Sequence, residues 1–221
     1  MLGLGMFAML WIPLNIIRLV WWRWRIIGKE NLPPRPQGFI LAANHLHWTD
    51  VHILGASVPF SHRPWWMAKI ELLNGRLASW WFRNMQVVPI RRGKRDMAAL
   101  AACEDVLKAG GVLVVFPEGH RSDTGQLQAA RSGVVRLAVR TGCPIVPVAI
   151  YGTEAGLKGA ALRKPITVVF GKPYHPKVDS DHIPFDRMSV LTDEVMLRIA
   201  ELMPEKYWGV YRERLLAAGK S

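Results

Sequence analysis

The stretch Asn44-His45-Leu46-His47-Trp48-Thr49-Asp50 holds the pair of residues best suited to chemistry. A histidine can take a proton from an alcohol near neutral pH, and a carboxylate on its other ring nitrogen fixes the tautomer and stabilises the imidazolium. His45 and Asp50 are five residues apart, about 140° of rotation on an ideal helix, so there they would not share a face. Pairing them requires His45 in a loop or at a helix start, with Asp50 in the first turns. His47, His52 and His62 lie nearby, and His45 with His47 could begin a metal site. No third ligand follows at recognisable spacing, so neither a metal nor another cofactor is expected. A His-x4-Asp string alone is usually a surface histidine followed by an acid at a helix N-terminus.

Two other clusters carry charge of the right kind. In Pro89-Ile90-Arg91-Arg92-Gly93-Lys94-Arg95 the planar guanidinium forks suit phosphate oxygens, and Gly93 allows close approach of the backbone. The plain alternative is a solvated basic loop. Phe116-Pro117-Glu118-Gly119-His120-Arg121-Ser122 combines a carboxylate, a glycine and an arginine. There Glu118 could accept substrate hydroxyls while Arg121 neutralises a phosphate. Arg131, at the start of a following helix, adds a further positive group.

These clusters need elements to hold them. Gly38–Ala43, Trp65–Lys69, Val87–Ile90, Val112–Phe116, Ile145–Ile150 and Ile166–Phe170 read as strands. Helices are expected over Trp48–Val58, Glu71–Arg83, Asp96–Ala109, Val134–Arg140, Thr192–Met203 and Lys206–Ala217. Strands that are continuous apolar runs, alternating with helices, indicate an α/β domain whose mostly parallel or mixed central sheet is flanked by helices on both faces. Each of the three polar clusters directly follows a strand. Loops at the carboxyl ends of strands line the ligand crevice of such folds, so the three can face one site.

Residues 1–17 carry no charged side chain, Leu19–Trp22 extend the apolar stretch, and Arg18, Arg23 and Arg25 close it. A spanning helix needs about 20 apolar residues, and Pro13 and Asn15 interrupt this one. No positive region precedes it and no clear cleavage site follows, which argues against a signal peptide. It reads as a membrane-associating helical segment, residues 1–30, lying in the interface with Trp11, Trp21, Trp22 and Trp24 at headgroup depth. A single span is the alternative. Either way the arginines place the remaining domain, residues 31–221, on the cytoplasmic face of the cell membrane. The proline-rich 31–37 connects the two.

Composition agrees with a lipid setting. Of 221 residues half are hydrophobic, ten are tryptophan, and 29 Lys+Arg against 17 Asp+Glu give a net charge of +12. Such a surface attracts anionic lipid, a phosphorylated substrate or nucleic acid. A nucleic-acid binder would leave the apolar N-terminus unexplained. Cys103 and Cys143 have no zinc-like or C-x-x-C spacing and read as buried thiols.

Taken together, the clusters resemble the glycerolipid acyltransferase family that includes the lysophosphatidate acyltransferases, over roughly residues 38–153. The first is similar to the family's Asn-His-x4-Asp, which implies catalytic roles for His45 and Asp50. The second is similar to its arginine block, with Arg92 in the matching position. The third is similar to Phe-Pro-Glu-Gly-Thr-Arg-Ser, which implies substrate binding by Glu118, Gly119, Arg121 and Ser122. Val146-Pro147-Val148-Ala149-Ile150 is similar to the proline-containing fourth block. His120 stands where the family has threonine, Ala130-Arg131-x-Gly133 where it often has Phe-Lys-x-Gly, and Ile90-Arg91-Arg92 lacks the aspartate that often precedes the last arginine.

The resemblance implies transfer of a fatty acyl group from acyl-carrier protein or acyl-CoA to the free hydroxyl of lysophosphatidate, forming phosphatidate without an acyl-enzyme. Arg92 and Arg121, with Lys69 or Arg131, would hold the acceptor phosphate. Other acceptors stay open: glycerol 3-phosphate, another lysophospholipid or a glycolipid. In other classes, a lipase lacks its G-x-S-x-G elbow here, and a non-catalytic binder of the anionic membrane surface leaves the three clusters unexplained.

Overall fold

The computed structural model describes residues 2–91, 96–178 and 183–220. Among these residues seven strands form one sheet: β1 (Trp24–Ile27), β2 (Phe39–Ala43), β3 (Pro64–Lys69), β4 (Val87–Ile90), β5 (Val112–Val115), β6 (Ile145–Tyr151) and β7 (Ile166–Phe170). Their order across the sheet is β1-β7-β6-β2-β5-β3-β4. From β6 to β4 every neighbour is parallel, whereas β7 runs antiparallel to β6 and carries β1 parallel on its outer side. Five parallel strands therefore end on the same edge. Every residue of β2 and β5 is buried, as expected of strands covered on both faces.

Among the described residues eight α-helices accompany the sheet: α1 (Leu2–Val20), α2 (Asp50–Ser57), α3 (Arg76–Asn84), α4 (Met97–Lys108), α5 (Gly133–Thr141), α6 (Gly156–Ala161), α7 (Phe185–Ala200) and α8 (Arg212–Ala217). One face packs on α4, α5, α7 and α8 through Cys103, Leu107, Val135, Leu137, Met196 and Leu215. The other packs on α2 through Ile53 and Leu54, with Trp11 and Leu14 of α1 behind them. Both cysteines are buried free thiols.

Several elements depart from the sequence reading. Trp24–Ile27, grouped there with the N-terminal segment, is an edge strand of the sheet. Trp24 is buried in the core rather than held at headgroup depth. The helix expected over Glu71–Arg83 is a 3-10 turn at Ile70–Leu73 followed by α3, separated by Gly75 at φ +95°. α7 begins seven residues earlier than expected, immediately after Pro184, a residue that suits helix starts because its missing N–H would have no partner there. The last helix is shortened to α8, preceded by two 3-10 turns, Glu205–Tyr207 and Gly209–Tyr211, the second opening on Gly209 at φ +51°. α6 was not foreseen.

Candidate active site

The awkward His-x4-Asp spacing is resolved by the loop between β2 and α2. β2 ends at Ala43, His45 lies in the loop, and Asp50 is the first residue of α2. Asp50 Oδ2 lies 2.8 Å from His45 Nδ1 and also accepts the backbone N–H groups of Leu46 and His47 at 2.7 and 2.8 Å. Asp50 is fully buried, and its Oδ1 meets no donor among the described residues. One carboxylate oxygen thus folds the loop and orients the imidazole. Because the ring uses Nδ1 for Asp50, Nε2 is the nitrogen left for a substrate.

Neighbouring strands fix the rest of the histidine. Asn44 closes a pair of hydrogen bonds with the Ile150 backbone, donating to its oxygen at 2.8 Å and accepting its N–H at 2.7 Å. This ties the end of β2 to β6. Phe116, just past β5, stacks on the imidazole with ring centroids 4.1 Å apart and 20° between planes. The backbone N–H of His45 donates to Glu118 Oε1 at 2.9 Å, and its carbonyl accepts from Ser122 N–H at 2.8 Å.

Glu118 itself is buried, and its other oxygen accepts the Gln128 N–H at 3.0 Å. Both oxygens therefore serve the scaffold, a different use from the substrate hydroxyls expected in sequence. Burial pushes its carboxyl up to about 7, against the two backbone N–H bonds that favour the charged form. The Ser122 hydroxyl is likewise engaged locally, donating to the Gln126 oxygen and accepting its N–H. Gly119 sits at φ +79°, and a Cβ there would lie 3.1 Å from Arg131 Nε. Arg131 is also bound through its N–H to the Pro117 oxygen at 2.9 Å. The turn thus brings the guanidinium of Arg131 beside Gly119.

Of the residues expected at the site, His45, Asp50, Glu118, Gly119, Ser122 and Arg131 come together around two adjacent strand ends. Arg121 is exposed on the same turn. Lys69 ends β3, in register with Ile90 of β4. It lies on the same edge but two strands from β2. Arg92 and its neighbours to Arg95 lie outside the described residues. Asn44, Phe116 and Gln128 had no assigned part; Asn44 and Phe116 open two of the motifs, and only the fold reveals what they touch.

Beside the histidine opens an apolar cavity of about 320 Å³. Phe116 is common to its wall and to the stack on His45. The remaining wall comes from α1 (Phe7, Leu10, Trp11, Leu14), α2 (Val51, His52, Gly55, Ala56), α3 (Trp81, Phe82), the strands β3 and β4, and Trp48, Leu72 and Met85 beside them. Trp48, partly exposed, lies edge-on to His52. Burial holds the His52 imidazole below its usual range.

A family model described as Acyltransferase matches residues 23–151, more than half of the chain. A chloroplastic 1-acyl-sn-glycerol-3-phosphate acyltransferase of Brassica napus is 29% identical over 206 residues, covering 89% of this chain and 55% of its own length. A lyso-ornithine lipid O-acyltransferase of Pseudomonas aeruginosa is 28% identical over 147 residues, covering 63% of this chain and 55% of its own. The chain thus spans about half the length of these curated relatives. The crystal structure of the lysophosphatidate acyltransferase PlsC of Thermotoga maritima superimposes with a TM-score of 0.67 at 24% identity, covering 90% of this chain and 78% of that one. That likeness establishes the fold. With more than half its length matched by the family model, this chain belongs to the acyltransferase family.

Proposed function

We propose that the chain transfers a fatty acyl group from an acyl thioester, carried by acyl-carrier protein or CoA, to the free hydroxyl of lysophosphatidate. The observation that carries this reading is the His45–Asp50 pair beside an apolar cavity, linked to it by Phe116, which stacks on the imidazole and lines the cavity. His45 Nε2 takes the hydroxyl proton as the oxygen attacks the thioester carbonyl. The tetrahedral intermediate then expels the thiolate, which takes the proton back from the imidazolium. Asp50 holds the ring in the tautomer this requires. Arg92, Arg121, Lys69 and Arg131 supply positive charge for the acceptor phosphate, and the cavity takes the acyl chain.

The reaction is set at the cytoplasmic face of a membrane, with α1 in the interface. α1 is apolar, with a mean hydropathy of 1.7 over its best window and only 11% of that window buried. It is also docked along the domain. Trp11 Nε1 donates to the Val58 oxygen, Asn15 Nδ2 to the Ala56 oxygen, and Arg163 to the Trp21 oxygen. A helix held to the domain over that length favours lying in the interface over crossing the bilayer. The lyso-ornithine lipid relative keeps a second lysolipid acceptor in view.

Purified protein supplied with labelled acyl-CoA or acyl-carrier protein and a panel of lysolipids tests the reading. Labelled phosphatidate should form, and His45→Ala should lower turnover by about 100-fold to 10,000-fold, the usual worth of a general base. Undiminished turnover by that variant removes His45 from the mechanism; a preferred acceptor other than lysophosphatidate replaces the substrate.

A further inference from the structure

Helix α3 has no buried residue, although it carries Leu77, Trp80, Trp81 and Phe82. Leu77 is 77% exposed, Trp80 45% and Trp81 42%. At 100° per residue, Leu77, Trp80, Trp81 and Asn84 share one face, and Arg76 and Arg83, seven residues apart, form a stripe along its flank. Trp81, at the edge of that face, also lines the cavity, together with Phe82 and with Met85 just past the helix. The sequence of α3 contains no acid, and among the described residues neither arginine pairs with a carboxylate; the nearest acid in sequence is the exposed Glu71. An apolar and aromatic face bordered by cations is the pattern of a helix lying at a lipid surface.

The face is continuous with α1. Gly3 approaches the end of α3 so closely that a Cβ there would stand 2.7 Å from the Asn84 oxygen. Arg63 donates to the same oxygen and lies over the Phe7 ring, 5.8 Å from its centroid. α1 and α3 thus form two walls of the cavity and one outward surface.

We propose that α3 is a second membrane-inserting element, which seats Leu77 and Trp80 among the acyl chains of an anionic bilayer and sets Arg76 and Arg83 on its headgroup phosphates. The net charge of +12 favours such a surface. Immersed on both sides, the cavity would receive an acyl chain without passage through water. The proposal does not rest on acyl transfer, since immersion can be read whatever the reaction.

The test uses the full chain with Leu77→Cys carrying an environment-sensitive fluorophore. The native cysteines are buried, and Ala217→Cys on α8, across the sheet, serves as control. On phosphatidylcholine vesicles containing phosphatidylglycerol, emission from position 77 should rise severalfold and be quenched by lipids brominated in their acyl chains. Emission from position 217 should not change. Arg76→Gln with Arg83→Gln should weaken binding to these vesicles on the order of 10-fold to 30-fold, at about 1 kcal/mol per basic residue. Binding to pure phosphatidylcholine should be unaffected. A label at 77 still quenched by aqueous iodide on bound protein would overturn the proposal. So would a label that becomes protected without vesicles as protein concentration rises, which would mark a contact between copies.

Discussion

Glu118 shows how much of a site depends on a residue that need not touch substrate. Its two oxygens accept N–H groups from His45 and Gln128, so it clamps the His45 loop to the chain after β5. Burial raises its carboxyl from 4.5 to about 7. Over that interval the folded chain holds a proton that the unfolded chain has released, so its contribution to stability falls as pH rises and levels off above about 7. A shift of this size corresponds to about 3 kcal/mol. Urea denaturation of wild type and Glu118→Gln across the interval should therefore show the wild type losing stability relative to the variant as pH rises. A difference independent of pH would mean that Glu118 stays charged throughout. His45 and Asp50 were legible from residue type and spacing because a base and its orienting acid are a local pattern. The use of Glu118 was not, because its partners are backbone groups 73 and 10 residues away, and nothing in a string of letters marks which N–H lacks a partner.

Elements were legible in proportion to their burial. β2, β5 and β6 are nearly unbroken apolar runs because both faces are covered, and such runs stand out. β1 and α6 are four and six residues long, too short for a period to repeat. The cavity was also invisible, since its walls come from three helices and two strands far apart in sequence. One position on α2 tests what it holds. A Cβ at Gly55 would lie 3.3 Å from Trp66, so a larger side chain there must project into the cavity or displace the indole. Gly55→Leu improves helix propensity and removes space. With acyl donors of graded length, the variant should discriminate against the longest chains by roughly 10-fold while keeping its rate on short ones. An unchanged length profile would place the acyl chain elsewhere.

At the scale of the whole molecule, α1 joins the hydrophobic surface to the cavity beside the candidate site. It contributes Phe7, Leu10, Trp11 and Leu14 to the cavity and is bonded to the residues closing α2 through Trp11 and Asn15. A tether alone would need none of these contacts. If α1 served only to hold the domain at the bilayer, any lipid anchor could replace it. The cavity wall instead requires that replacing residues 1–22 with a lipidated linker restore vesicle binding but not turnover. The shortened chain should also unfold at lower denaturant, since Val51, Ala56 and Phe60 lose the aromatic and aliphatic cover packed on them. Sedimentation with vesicles, acyl transfer and urea midpoint measured on the same preparation separate the two roles. Full activity from the re-tethered chain would reduce α1 to an anchor, and loss of turnover with binding and fold both intact would identify it as a wall of the acyl site.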